Sequence, residues 1–312
     1  MTDSRETRVD WPVVDGMRLR CISWRSEGPR RGTVVICTGR TEFVEKYDEV
    51  VQQLLDRDLD VVAFDWRGQG LSDRFLPDRA KGHVRGFEDY LADLDTVTGL
   101  IEARSFPRPR LMLAHSMGGQ IGLRFVHDRP AFFAAAAMTA PMFGIQFNGL
   151  PGPLAKATAD LMCLAGRSEA YAFGQGPRAY ALGPFEGNLL TSSPDQYHRL
   201  RTLLEADPEL ALGGPTFSWL SAALGSVHRT QRASFARTVK CPMLLAVGGH
   251  EGIVDVKAIE RITGWLPNAE LVHIPHARHE ILIEQEPLRA QFWSAFDRWL
   301  SQPAGAAPPP SP

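Results

Sequence analysis

The stretch Arg110–Gly122, RLMLAHSMGGQIG, decides the fold. An apolar run ends at Ser116 and passes at once into small residues. The pattern approaches G-x-S-x-G, the sharp strand-to-helix turn that lifts a nucleophilic serine above the edge of a sheet. Ala114 stands where the first glycine usually is. The turn is crowded, so the flanking positions must be small; Gly118 and Gly119 meet this on the far side, and Ala114 adds only a methyl on the near side. A serine capping a helix is the competing reading, and the motif alone does not separate the two.

Outward from this stretch, short β-rich runs alternate with amphipathic helical stretches, the mark of an α/β fold with a mostly parallel sheet. A hairpin is expected first, turning near Gly16 and returning through MRLRCISW. TVVICTG (33–39) reads as a strand buried on both faces. Helical periodicity runs from about Glu45 to Leu55, and DVVAFDW (60–66) is the next strand, opening into RGQGLSD. Residues 87–104 carry apolar positions at helical spacing with acids toward the start, as the helix dipole prefers. RLMLAHS is then a central strand, MGGQIGLRFVHD a helix, and AFFAAAAMTAP (131–141) a buried strand.

From about Met142 to Thr238 the alternation stops, and it resumes with PMLLAVGG (242–249), ELVHIP (270–275) and a final helix near 284–301. The middle stretch reads as a helical cap inserted over the carboxyl ends of the strands, where open α/β sheets bind ligands. The expected organisation is a core from residues 1–141 and 239–301, a cap from 142–238, and a low-complexity tail, 302–312, without order.

The chain has 312 residues, 44% of them hydrophobic and 22% charged, with a net charge of -2, which makes no electrostatic case for nucleic acid. The cluster Arg25, Arg30 and Arg31 reads as a solvated loop. Cys21, Cys37, Cys163 and Cys241 are widely spaced, and Cys37 and Cys241 adjoin strand-like runs, so a reducing compartment is expected over a disulfide framework. The polar start MTDSRETRVDW has no signal-peptide core, and no apolar run reaches the ~18 residues of a membrane span. A cytoplasmic protein is expected.

A serine is a weak nucleophile without an oriented base. The order Ser…acid…His directs attention to later strand ends. After the strand at 242–249 come Glu251 and Asp255; after that at 270–275 come His276 and His279. Glu251 lies in the loop directly after its strand, whereas Asp255 precedes VKAIERI, where it would cap a helix. Glu251 is preferred as the orienting acid, with Asp255 as the alternative. His279 is preferred as base, since His276 follows Pro275 directly. His273, His276 and His279 recur every third residue, but a strand and loop would not bring them to one face, so no metal is expected. The oxyanion donors are expected to be the backbone N–H of Met117 and, from CTGRTE, that of Arg40.

The set TGRTEFVEKY, DWRGQGLSD, GHVRGFEDYLADL, AHSMGGQ, GGHEGIVD and HARHEILIE resembles the monoacylglycerol lipase and lysophospholipase branch of the α/β-hydrolases, and the cap segments NLLTSSPDQYHR and GGPTFSWL are similar too. The resemblance implies the α/β-hydrolase fold and a cofactor-free serine esterase acting on single-chain acylglycerols or lysophospholipids. It places the triad on Ser116, Glu251 and His279. It makes DWRGQGLSD structural, with Asp65 and Arg67 in internal ion pairs. Two further departures accompany Ala114: Thr38 replaces the usual histidine of the oxyanion loop, and Glu251 the usual aspartate. The apolar cap stretches LMCLAG and FSWLSAALG are expected to line an acyl channel and would allow transient docking on a membrane. Competing readings are a thioesterase, an acyltransferase, a proline-type aminopeptidase using cap acids such as Glu169, Glu186 or Glu205, and a non-catalytic binding module.

Overall fold

A computed structural model of the chain describes residues 7–147 and 151–301. Ten strands are present among them: β1 (Thr7–Asp10), β2 (Val13–Val14), β3 (Met17–Arg18), β4 (Cys21–Trp24), β5 (Gly32–Cys37), β6 (Leu59–Phe64), β7 (Arg110–His115), β8 (Ala135–Thr139), β9 (Met243–Gly248) and β10 (Ala269–Ile274). Eight build one sheet in the order β1-β4-β6-β5-β7-β8-β9-β10. The β1–β4 and β4–β6 pairs are antiparallel; every pair from β6 through β10 is parallel. β5, β6, β7 and β9 are buried along their whole length, as their unbroken apolar runs require of strands covered on both faces.

The expected first hairpin divides in two. Asp15 and Gly16 turn with φ of 51° and 77°, the left-handed pair that matches strand twist, so β2 and β3 form a small separate ribbon. The run MRLRCISW breaks at Arg20. Its amide donates to Ser72 Oγ at 2.8 Å, and its buried guanidinium lies between Asp65 at 2.7 Å and Glu45 at 2.6 Å. Only β4 therefore joins the main sheet.

Helices cover both faces. α1 (Asp48–Leu55) and, near the chain end, Glu286–Leu300 press Val50, Leu54, Phe292 and Phe296 onto one side. α2 (Phe87–Ala103), α3 (Met117–Asp128) and the helix Val256–Thr263 bring Tyr90, Leu94, Ile121, Ile259 and Ile262 to the other. Between β8 and β9 the chain forms α4 (Gly152–Leu164), α5 (Pro194–Ala206), α6 (Phe217–Thr230) and α7 (Ala233–Ala236); α6 packs on α2, α3 and α4. In chain order the two remaining helices are α8 (Val256–Thr263) and α9 (Glu286–Leu300). Ser193 and Thr216 cap α5 and α6 through Gln196 N and Trp219 N. The tail 302–312 lies outside the described residues.

Because the strands from β6 to β10 run parallel, their exits share one edge. Four non-glycine residues there take positive φ: Thr41 (65°), Ser116 (49°), Ala140 (42°) and His276 (68°).

Candidate active site

Ser116 sits between β7 and α3 with φ 49° and ψ -113° and is 7% exposed. It occupies the N-cap position, yet its side chain makes no capping hydrogen bond. Its backbone is pinned instead: the amide donates to Thr139 O at 3.1 Å, and its carbonyl accepts from Met142 N at 2.9 Å. The small flanking residues have a measurable reason. A Cβ at Gly118 would lie 2.1 Å from the Cys37 carbonyl oxygen, and one at Gly119 would lie 2.7 Å from Pro141 Cβ. Ala114 is fully buried, and its methyl is accommodated.

The loops after β9 and β10 bring an acid to a histidine. Glu251 Oε2 lies 2.8 Å from His279 Nδ1, and its Oε1 accepts from the amides of Ile253 (2.7 Å) and Val254 (3.1 Å). A carboxylate held from two sides can orient the ring: with Nδ1–H donated to it, the Nε2 lone pair is left free for a proton. Burial pushes the Glu251 carboxyl up, but the His279 charge, its hydrogen bond and the two amides outweigh this and bring it below its ordinary value. Burial likewise pushes His279 down, and the charge and hydrogen bond of Glu251 more than reverse it, so the imidazole titrates above its ordinary value. Asp255 takes the other role foreseen for it. It caps α8 through Ala258 N at 3.2 Å and lines a cavity of about 560 Å³ between α4 and α6.

The other histidines separate. His276 turns outward with its ring 5.4 Å from His250, and His273 is 51% exposed beside Glu260. His115, next to Ser116, packs its ring 4.7 Å from that of His279. Burial pushes it down to about 3, so it is neutral near pH 7, with Nδ1 near Thr139 Oγ1 at 2.9 Å.

The loop after β5 is tied from below. Glu42 accepts from the Gly39 amide, from Tyr47 OH at 2.6 Å and from the Lys46 ammonium, which also bonds Glu280 at 2.6 Å. Gln69 grips the same loop from the side, donating to Gly39 O at 3.0 Å and accepting from Thr41 N at 3.1 Å. Among the described residues the amides of Arg40 and Met117 have no acceptor, as donors reserved for a ligand oxygen would not. Thr38 Oγ1 is buried without a partner. Ligand atoms of Glu42, His115 and Glu280 lie within 4.8 Å of one another, the only spacing among the described residues that would suit a metal, and the Lys46 ammonium already supplies a positive charge to two of them. Sequence reasoning did not find this network. Glu42 and Lys46 show the i, i+4 spacing of a helical ion pair, but nothing local points to Glu280.

DWRGQGLSD is braced by the expected ion pairs, Asp65–Arg20 at 2.7 Å and Arg67–Asp93 at 2.6 Å. The cap segment after Asn188 holds the His279 loop: Arg278 donates to the carbonyls of Asn188 and Thr191, and Glu284 accepts from Ser192 and from the Arg278 amide. LMCLAG, expected to face inward, is divided: Met162 and Cys163 pack against Ala159, Ala172 and Phe217, while its two leucines face outward. Leu161 and Leu164 are 65% and 86% exposed, because α4 packs its small Ala155 and Ala159 against its neighbours instead.

Comparison with known proteins identifies the family. Residues 28–286 match the family model described as serine aminopeptidase, S33. Lysophospholipase L2 of Escherichia coli K12 is 35% identical over 295 residues, covering 90% of this chain and 84% of that protein. Human monoglyceride lipase is 24% identical, covering 95% and 92%. A soluble variant of monoglyceride lipase from Saccharomyces cerevisiae superposes with a TM-score of 0.75 at 19% identity, covering 96% of both chains. An eight-stranded, mostly parallel sheet, a strained serine at its central turn and these relatives together place the chain in that α/β-hydrolase family, in its lysophospholipase and monoacylglycerol lipase branch, as a carboxylic-ester hydrolase.

Proposed function

We propose that this enzyme cleaves the acyl ester of single-chain lipids, lysophospholipid or monoacylglycerol, through an acyl-enzyme on Ser116. The observation that carries the reading is the Glu251–His279 hydrogen bond of 2.8 Å, with the second carboxylate oxygen held by two amides. In this reading His279 Nε2 takes the proton of Ser116 as its oxygen attacks the carbonyl carbon. The Arg40 and Met117 amides hold the resulting oxyanion, and His279 returns the proton to the departing glycerol oxygen. Water then attacks the acyl-enzyme, giving a proton to His279, and the fatty acid leaves as Ser116 regains its hydrogen.

Acyl transfer to a thiol, alcohol or water would use the same groups, and the relatives named above favour water and oxygen esters. An aminopeptidase would need a buried cap acid to hold a free amine, and Glu169, Glu186 and Glu205 are all exposed. A non-catalytic module would have no use for a complete set of base, acid and free amides. Leu154, Leu161 and Leu164 recur on one face of α4 and are 53%, 65% and 86% exposed, which supports transient docking on a lipid surface. No helix among the described residues is long and apolar enough to cross a membrane, and the four cysteines are free, which supports a cytoplasmic enzyme working at the membrane face.

The test is hydrolysis of lysophospholipids, monoacylglycerols, acyl thioesters and proline arylamides, with Ser116→Ala as the blank. Oxygen-ester hydrolysis should lead the panel, and Ser116→Ala should lose at least about a thousandfold. Full activity of that variant on a p-nitrophenyl ester would refute the mechanism.

A further inference from the structure

The large buried cations of this protein have carboxylate partners. Arg20 meets Asp65 and Glu45, Arg67 meets Asp93, Arg110 meets Glu102, and Arg124 meets Glu88, all at 2.6–2.8 Å. Arg40 and Arg74 depart from this pattern, but Arg74 donates to three backbone carbonyls, those of Gly68, Gly70 and Glu209, whereas Arg40 has one. Its Nη2 donates to the Gly213 carbonyl at 2.6 Å, and its guanidinium lies 5.1 Å from the centre of the Trp219 ring. Its Nε is shielded from solvent and has no acceptor, as is also true of Arg20, Arg110 and Arg124, so the missing carboxylate is what distinguishes it from those three. Among the described residues no carboxylate comes within ion-pair distance of it. Burial draws the guanidinium down to about 10, with only Tyr90 acting in the other direction.

The position is built to receive this side chain. Gly82, on the core, leaves the space: a Cβ there would lie 2.3 Å from Arg40 Nη2. Gly213 and Trp219 come from the cap, so the guanidinium sits at the seam between cap and core, directly beyond the oxyanion loop. A largely buried cation without a counter-ion is costly, and an unmade hydrogen bond adds to the cost. Of the five N–H donors a guanidinium carries, one has a protein acceptor here.

We infer that Arg40 sets head-group specificity: its side chain binds the phosphodiester of a lysophospholipid while its own amide faces the ester being cleaved. The inference rests on the proposed esterase reading and deepens it, because the two substrate classes differ in this anion. A monoacylglycerol offers no charge to Arg40. In a lysophospholipid acylated at a terminal glycerol carbon, the phosphorus lies as many bonds from the carbonyl carbon as the arginine Cζ lies from its amide nitrogen. One residue can therefore reach both ends of the substrate. Guanidinium suits the role, since it offers parallel N–H groups to two phosphate oxygens.

The experiment measures kcat/KM for a lysophosphatidylglycerol and a monoacylglycerol of the same acyl chain, in the same mixed micelles, for wild type, Arg40→Met and Arg40→Lys. Arg40→Met should lower the ratio of lysophospholipid to monoacylglycerol efficiency about tenfold to a hundredfold. Arg40→Lys should recover part of it. sn-Glycerol 3-phosphate should inhibit wild type competitively and lose that effect in Arg40→Met, and glycerol should not substitute for it. A thermal melt with a cooperative transition establishes that each variant is folded. Equal losses on both substrates would make Arg40 a strap between cap and core and overturn the inference, as would an unchanged ratio. Wild type active on monoacylglycerol alone would also overturn it while leaving the esterase standing. Wild type inactive on both lipids would bring down the esterase reading itself.

Discussion

Two loops flank Ser116, and they manage charge in opposite ways. The loop after β9 carries two acids four residues apart. Glu251 is fully buried and satisfied on both oxygens, and Asp255 is spent on the first turn of α8. The loop after β5 carries an acid and a base two residues apart. Glu42 points down into a paired network with Lys46 and Glu280, and Arg40 points up into the seam with no carboxylate. In the loop after β9 both carboxylates are satisfied within the protein, one by His279 and two amides and the other by the first turn of α8. On the oxyanion side one charge is left over, and it faces the cap. In the proposed reading the first loop orients the base, and the second joins an oxyanion donor to a recognition group in one residue.

The comparison breaks most readily at Glu251. Glu251→Gln keeps the shape but not the charge, and kcat should fall by about a thousandfold to ten-thousandfold, as expected when the orienting acid of a triad is neutralised. The pH profile sharpens the point. The base must be neutral to accept a proton, and its pKa is raised, chiefly by Glu251 acting against burial. Activity should therefore fall with decreasing pH through a midpoint above 6.5, the ordinary histidine value. In Glu251→Gln the residual activity should show that midpoint moved lower, because burial remains and the carboxylate does not. An unmoved acid limb would remove Glu251 from its place beside the base.

A smaller effect is expected at the cap. Leu161→Glu with Leu164→Glu should weaken sedimentation with anionic phospholipid vesicles more than tenfold, about the worth of burying even one leucine. Turnover of a water-soluble p-nitrophenyl ester should stay within about twofold of wild type. Equal vesicle binding would show that α4 is not the docking face. The smallest effect belongs to the second acid. Asp255→Asn should leave kcat within a few-fold, and Asp255→Ala should cost about 1 kcal/mol of stability, the usual value of an N-cap, read as a lower Tm. A large kcat loss in Asp255→Asn would reverse the division of labour in that loop.

The elements that position the site were readable because their signals are local. Buried strands are unbroken apolar runs, the turn at Ser116 is bounded by residues that must be small, and Asp255 before VKAIERI is a capping signal that the fold uses. His276 was separable from His279 because it follows the strand too closely; it turns outward with φ 68°. What was not readable depends on tertiary neighbours. The break in MRLRCISW comes from the buried partners of Arg20, which lie 25 and 45 residues away in the chain. The outward face of α4 was misjudged because LMCLAG is apolar without showing which side its neighbours cover. Arg40 was identified for its amide alone. Its side chain gains meaning only from Gly82, Gly213 and Trp219, which two distant segments contribute.

The positive φ angles at Thr41, Ser116, Ala140 and His276 have a further consequence. Each costs on the order of 1–3 kcal/mol in a residue that carries a Cβ, and all four fall at exits from parallel strands. A chain shaped for durability alone would place glycine at such corners, at least at Ala140 and His276. Their presence along the working edge marks the region where robustness and turnover pull apart. A search for hardened variants of this enzyme should begin at those two corners, which relax the frame without touching the serine that needs it tense.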